Sequence, residues 1–133
     1  MKSSTMTSLG LLVLRVGIGV LMLLGHGWAK VLAFHAVAGR FPDPLGVGST
    51  VSLVLVIFAE VVCSVLLILG LGTRFAAIPL LITMLVAAFV VHSTDPWAVK
   101  ELALIFGTAY LTLIFTGGGD WALDSVLEIR RKQ

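Results

Sequence analysis

The chain has 133 residues, of which 59% are hydrophobic and 12% charged, with a formal net charge of +2 and a mean hydropathy of +1.11. Soluble domains carry about 25% charged residues, so this chain has too little polar surface to cover a globule in water. The small positive excess clusters at chain ends and loops, with no basic helical face or aromatic–basic stripe, which excludes nucleic acid as a partner.

In chain order, Met1 to Thr7 is short and polar and carries Lys2. The next apolar run, from Ser8 to about Ala29, is longer than a signal-peptide core. His26, Trp28 and Lys30 interrupt any small-residue cleavage pattern, so the run is expected to be a retained membrane helix. A long loop comes next, with Lys30, His35, Arg40 and the turn Phe41-Pro42-Asp43-Pro44-Leu45-Gly46, where two prolines around an aspartate favour extended and turn conformations. The second span covers about 49–69 and ends in the tight connection Gly70-Leu71-Gly72-Thr73-Arg74. The third covers about 75–91 and contains Pro79, tolerable one turn into a helix. After a loop holding Asp95-Pro96-Trp97 comes the fourth span, about 100–115. Each is near the ~20 residues a bilayer core requires. Beyond Gly117-Gly118-Gly119, Asp120 is the expected N-cap of a short helix over Trp121 to Arg131. The expected fold is all-α: one integral membrane four-helix bundle over 1–133 with a short amphipathic C-terminal helix.

Four spans put both termini on one side. That side carries Lys2, Arg74, Arg130, Arg131 and Lys132, against Lys30, Arg40 and Lys100 on the other. The basic excess predicts cytoplasmic termini. The lone cysteine, Cys63, excludes an intrachain disulfide and any CxxC motif, and in an apolar run it reads as a small buried hydrophobe.

Five ionisable side chains lie in or at the ends of the spans: Arg15, His26, Glu60, His92 and Glu101. Charge inside a bilayer is costly, faces the bundle interior as a rule, and marks function. Arg15, Gly19, Met22 and His26 are spaced four, three and four, which places them on one helix face, and Lys30 continues the stripe. Ser52, Val56, Glu60 and Ser64 share a face of the second helix, and Glu101, Thr108 and Thr112 share a face of the fourth. All three stripes are expected to turn inward. Arg15 and Glu60 are expected to form an internal ion pair, either a structural lock between helices or, with His26, a proton relay. His26, Lys30, His92 and Glu101 are expected to line a mouth on the outer side. The bland alternatives are interfacial histidines bonded to loop carbonyls, and a glutamate drawn to a helix N-terminus. His26 and His92 as haem ligands, or with Glu101 as a metal site, have no CxxCH or HxxE spacing behind them, so no metal is assigned.

These residues also carry a family resemblance. Leu14-Arg15-Val16-Gly17-Ile18-Gly19 and then Gly25-His26-Gly27-Trp28-Ala29-Lys30 resemble the opening helix of the DoxX family. Phe58-Ala59-Glu60, Leu69-Gly70-Leu71-Gly72-Thr73-Arg74, Glu101-Leu102-Ala103-Leu104 and the ending from Thr116 to Asp124 extend the likeness over nearly the whole chain. Gly118 stands where a proline is expected, and Asp120 where a basic residue is common. The resemblance implies a four-helix protein of the bacterial inner membrane. The family is named after a subunit of a thiosulfate:quinone oxidoreductase. Other members are linked to membrane complexes with superoxide dismutase and a sulfurtransferase, and distant relatives are membrane chaperones or cargo receptors. It thus implies an accessory subunit in redox or sulfur metabolism, with quinone as the cofactor, soluble or membrane redox partners, and lipid around it. Two other classes stay open. One is a non-enzymatic scaffold that docks partners through its basic C-terminal helix. The other is a carrier of a small solute or protons, which four short helices could house only as a homo-oligomer.

Overall fold

The computed structural model describes residues 4–132, so Lys2 lies outside the described residues. Among the described residues, four helices are long and apolar enough to cross a membrane: α1 (Thr5–Leu32), α2 (Ser49–Leu69), α3 (Thr73–Val91) and α4 (Trp97–Thr116). A single helical turn at Phe34–Val37 interrupts the first loop, and α5 (Leu123–Arg131) comes after the spans. The expected bounds hold for α2; α1, α3 and α4 run one to three residues further at their ends. The end of the bundle that carries Ser4 and Lys132 is its terminal end, and the opposite one is its loop end.

At the terminal end the four helices pack closely. α3 and α4 are the tightest pair, and the first 18 residues of α1 pack along Ser64–Leu69 of α2. Met22, Leu67, Leu80, Phe106, Tyr110 and Leu113 fill the space between them. Toward the loop end the bundle divides. The start of α2, Ser49–Ile57, rests chiefly on Trp28–Leu32 of α1, whereas Ala87–Val91 of α3 rests on α4. Three helices carry a π-helical turn: Leu23–Gly27 in α1, Phe58–Cys63 in α2 and Ala87–Val91 in α3. Each such turn accommodates an extra residue, a feature frequent at functional sites.

The terminal end is closed by a clasp centred on Arg15, whose residue surface is only 2% exposed. Its guanidinium donates to four backbone carbonyls. Nη1 reaches Leu67 O at 3.0 Å and also Ile68 O, Nη2 reaches Trp121 O at 2.9 Å, and Nε reaches Gly118 O at 3.2 Å. Leu67 and Ile68 lie in the last turn of α2, where helical donors run short. Gly70 ends that helix in the left-handed conformation, φ 74°, with the Leu71 and Gly70 N–H groups bonded back to Leu66 and Leu67. A Cβ at Gly70 would also stand 2.6 Å from the Ala122 Cβ. The segment after α4 folds over this end. Asp120 accepts from Ser8 Oγ at 2.9 Å, and Asp124 accepts from the Gly72 and Thr73 N–H groups at 2.9 and 3.3 Å.

Three expectations are corrected by these contacts. Arg15 does not pair with Glu60. It lies level with Leu67, seven residues or about 10 Å of rise beyond Glu60, where carbonyls are nearer. Asp120 does not cap the last helix, which begins at Leu123 with Ala122 as its N-cap and no side-chain bond; the capping aspartate is Asp124, and it serves the start of α3. Nor does the stripe on α4 face inward. Glu101, Thr108 and Thr112 are exposed, and each threonine hydroxyl is satisfied by the carbonyl four residues back. Gly118 is explained by the clasp: a Cβ there would come within 2.7 Å of both Ala122 Cβ and Thr73 Oγ1.

Removing the guanidinium leaves four carbonyls without a charged donor. Arg15→Met is therefore expected to cost about 3 kcal/mol or more of stability, read as a lowered thermal midpoint in detergent. Arg15→Lys should recover less than half, because a point donor cannot replace the fork.

Candidate functional site

Between the divided halves lies a cavity of about 640 Å³, walled by all four helices and roofed by Phe41, Pro42, Pro44 and Leu45 of the first loop. The roof has a local cause. The Pro42-Asp43-Pro44 turn sets the Asp43 carboxylate over the start of α2. There it accepts from Ser52 Oγ at 2.8 Å and from the Gly48 and Val47 N–H groups at 2.8 and 2.9 Å. These bonds, that to Ser52 foremost, hold the Asp43 carboxyl below its usual range. The turn is legible in the sequence; its anchor is not.

The cavity wall is mostly apolar. Its polar members are His26, Lys30, Ser52, Glu60, Thr83 and His92. The Lys30 ammonium donates to Glu60 Oε2 at 2.6 Å, with the Glu60 side chain 5% and the Lys30 side chain 25% exposed. The pair exists because α1 runs on to Leu32. Lys30 then stays on the helix stripe and reaches inward rather than standing in a loop. It also needs α1 and α2 very close: a Cβ at Gly27 would sit 2.7 Å from the Glu60 carbonyl oxygen. The π turns of both helices meet at this point. Charged partners in a dry setting satisfy one another where water cannot.

His26, Lys30, His92 and Glu60 therefore share one cavity, while Arg15 and Glu101 do not belong to it. His26 is half-buried and stands edge-on to Phe106, ring centroids 5.6 Å apart. His92 sits at the rim with Nδ1 2.6 Å from Asp95 Oδ2. Glu101 lies on the outward face of α4, so the expected four-residue mouth loses one member. Most of the expected positive charge at the mouth is already engaged, Lys30 by Glu60 and Lys100 by the Ser93 carbonyl at 2.8 Å. Among the described residues, no three His, Cys, Asp or Glu side chains come together as metal ligands. Sequence reasoning missed Phe106 and Thr83, whose apolar surroundings gave no polar signal.

Fold and site together define a class: a four-span α-helical membrane protein whose interior cavity ends on a buried lysine–glutamate pair. Within that class the chain belongs to the DoxX family, whose model matches residues 10–93. It is similar to an uncharacterised protein of Haemophilus influenzae, 34% identical over 123 residues, a match covering 84% of this chain and 86% of the relative. A second uncharacterised protein of that organism is 29% identical over 109 residues, covering 78% of this chain and 69% of the relative. No solved structure matches. The family match covers α1 to α3 and hence Arg15, His26, Lys30 and Glu60.

Either half of the Lys30–Glu60 pair alone is a buried uncompensated charge. Lys30→Met and Glu60→Gln are each expected to destabilise by about 3 kcal/mol. The double substitution should recover at least about 1 kcal/mol against the sum, as measured by a double-mutant cycle of thermal midpoints in detergent.

Proposed function

We propose that the protein is an accessory membrane subunit of an inner-membrane redox system, with cytoplasmic termini, and that it holds a quinone-class ligand in its cavity. The observation behind this reading is the cavity's make-up: a mostly apolar chamber of about 640 Å³ with its polar groups gathered around Lys30–Glu60 and His26. Ligand pockets of ~300–1,000 Å³ with a few convergent polar groups are the usual pattern. A quinone has a flat apolar ring, an apolar tail and two carbonyl oxygens that need donors. His26 is a donor at the polar end, and Phe106 offers a ring to pack against. A quinone, when bound, supplies the electron-accepting chemistry. The chain's own residues orient it, keep water away and hold a proton at the Glu60 carboxylate. Thiosulfate fits less well, because a small anion needs an unengaged cation and Lys30 is committed to Glu60.

The cavity also has lipid-facing members. Leu55, Phe58 and Ile82 line it and are each about half exposed, so a tailed ligand can pass between α2 and α3 from the bilayer. A through-path for a solute is less favoured, because packed side chains from Met22 to Leu113 fill the terminal half. A scaffold role has one supporting observation. α5 has no buried residue; it exposes Leu123, Val126 and Leu127 along with Arg130 and Arg131. An amphipathic basic helix of that kind is equally suited to the membrane surface.

Protein extracted in mild detergent is expected to retain quinone on organic extraction, and a short-tailed quinone analogue should raise its thermal midpoint. Ala103→Phe, which fills the cavity, should lower retention by about tenfold or more while leaving the protein folded. No retained quinone and no shift with the analogue would overturn the reading.

A further inference from the structure

At α5 the usual arrangement of an amphipathic helix is reversed. Its residues fall on two faces at helical spacing. Asp124, Ser125, Glu128 and Lys132 form one face, and Leu123, Val126, Leu127 and Arg130 form the other. The polar face is the one bonded to the bundle. Asp124 accepts from the Gly72 and Thr73 N–H groups, and Ser125 Oγ donates to the Gly119 carbonyl at 2.9 Å. Leu123, Val126 and Leu127 stay exposed, and no residue of the helix is buried. A helix that packs on a protein turns its apolar stripe inward. This one leaves three large apolar side chains for something outside the chain.

The position of α5 points to lipid. The Asp124 N–H donates to the Gly70 carbonyl at 3.0 Å, so the first turn of α5 is fixed where α2 ends and α3 begins. Phe75, two residues after Thr73, is 81% exposed, and Phe115 at the end of α4 is exposed too. Large apolar side chains facing outward on spanning helices show that acyl chains reach this height. Trp121, just before α5 in the chain, is half exposed, as tryptophans at a membrane interface are. A bilayer surface is therefore already present beside the first turn of α5. The charges at this end select the kind of lipid. Asp120 accepts from Ser8, Asp124 accepts from backbone N–H groups, and Glu128 pairs with Lys132 at 3.0 Å. Among the described residues, no carboxylate pairs with Arg74, Arg130 or Arg131. Three guanidiniums are left for anions from outside. Arg130 shares the apolar face, where a long stem with a charged head suits the boundary between acyl chains and phosphates.

We propose that α5 is a surface anchor lying along the bilayer at the terminal end, with Leu123, Val126 and Leu127 in the acyl boundary and Arg74, Arg130 and Arg131 on the phosphates of anionic phospholipids. This contact is independent of what the cavity holds. It has a consequence for the fold through the clasp. Gly118 and Trp121 give their carbonyls to Arg15, and they belong to the segment that ties α4 to α5. A lipid surface that holds α5 in place also holds that segment over Arg15, and whatever binds the folded state alone stabilises it.

The test puts a nitroxide label on the full chain, at Leu127→Cys in one variant and at Glu128→Cys in another. Cys63 is buried and stays unlabelled. The hosts are nanodiscs of phosphatidylcholine with and without phosphatidylglycerol. With phosphatidylglycerol present, the Leu127→Cys label should be reached by oxygen from the acyl region and shielded from an aqueous nickel chelate, and the Glu128→Cys label should show the reverse. Phosphatidylglycerol should also raise the thermal midpoint of the wild type. Replacing Arg130→Gln and Arg131→Gln together should lower the protein's preference for phosphatidylglycerol over phosphatidylcholine in mixed micelles by about tenfold or more. Both arginines are exposed and lie outside the clasp, so the variant is expected to fold, with a thermal midpoint in phosphatidylcholine within the wild-type range. Both labels open to the chelate would overturn the anchor and leave this face to a soluble partner. A lipid preference unmoved by the double substitution would overturn the assignment of these arginines to anionic phosphates.

Discussion

A guanidinium within a bilayer-spanning helix must be given its acceptors by the protein, because lipid offers none. Arg15 meets this requirement with carbonyls rather than with a carboxylate partner. Two come from the end of α2 and two from the segment after α4. One side chain on α1 thereby joins the last turn of α2 to the chain beyond α4. The segment cannot leave without stranding a buried cation, and α2 cannot slide without losing the bonds at its last turn. Asp124 caps the start of α3, so every spanning helix meets this knot or adjoins it.

Fixing one end leaves the other free to open. At the loop end the helices separate into two pairs, and the separation begins where the π turns lie. A regular α-helix keeps one face toward its neighbour along its length. An extra residue in one turn rotates the remainder of the helix about its axis. In α1 the turn at Leu23–Gly27 precedes Lys30, and in α2 the turn at Phe58–Cys63 contains Glu60. The two irregular turns thus meet at the level where the two charges pair. Cavity and ion pair lie at the same level of the bundle as these turns.

The spans are legible in the sequence because hydropathy and length suffice for helices that must satisfy their own backbone. The α1 stripe is legible too: Arg15, Gly19 and Met22 are buried and His26 partly so, as their spacing requires. Partner choice is not. Helix spacing fixes direction around an axis but not depth relative to another helix, so it matches Arg15 to Glu60 although the carbonyls at Leu67 and Ile68 are closer. Lys30 reads as a mouth residue only when α1 is ended at Ala29. The threonine stripe of α4 misleads for another reason. A threonine that bonds its own helix carries little polarity outward, so its face need not be turned inside. Asp124 has no local signal, since it caps a helix that begins far earlier in the chain, at Thr73.

The same logic bears on why a lysine, rather than another arginine, meets Glu60. An arginine fork would engage both carboxylate oxygens in a fixed plane. The lysine ammonium takes Oε2 alone and leaves Oε1 for a further donor. Its stem is long and flexible, and its side chain is a quarter exposed, so the carboxylate can be released without breaking the helix contact at Gly27. Arg15 is the opposite case: all three guanidinium nitrogens are engaged and almost none of its surface is exposed. The two basic side chains of α1 therefore divide the labour by chemistry, the arginine making an immobile joint at the terminal end and the lysine a releasable one at the cavity floor.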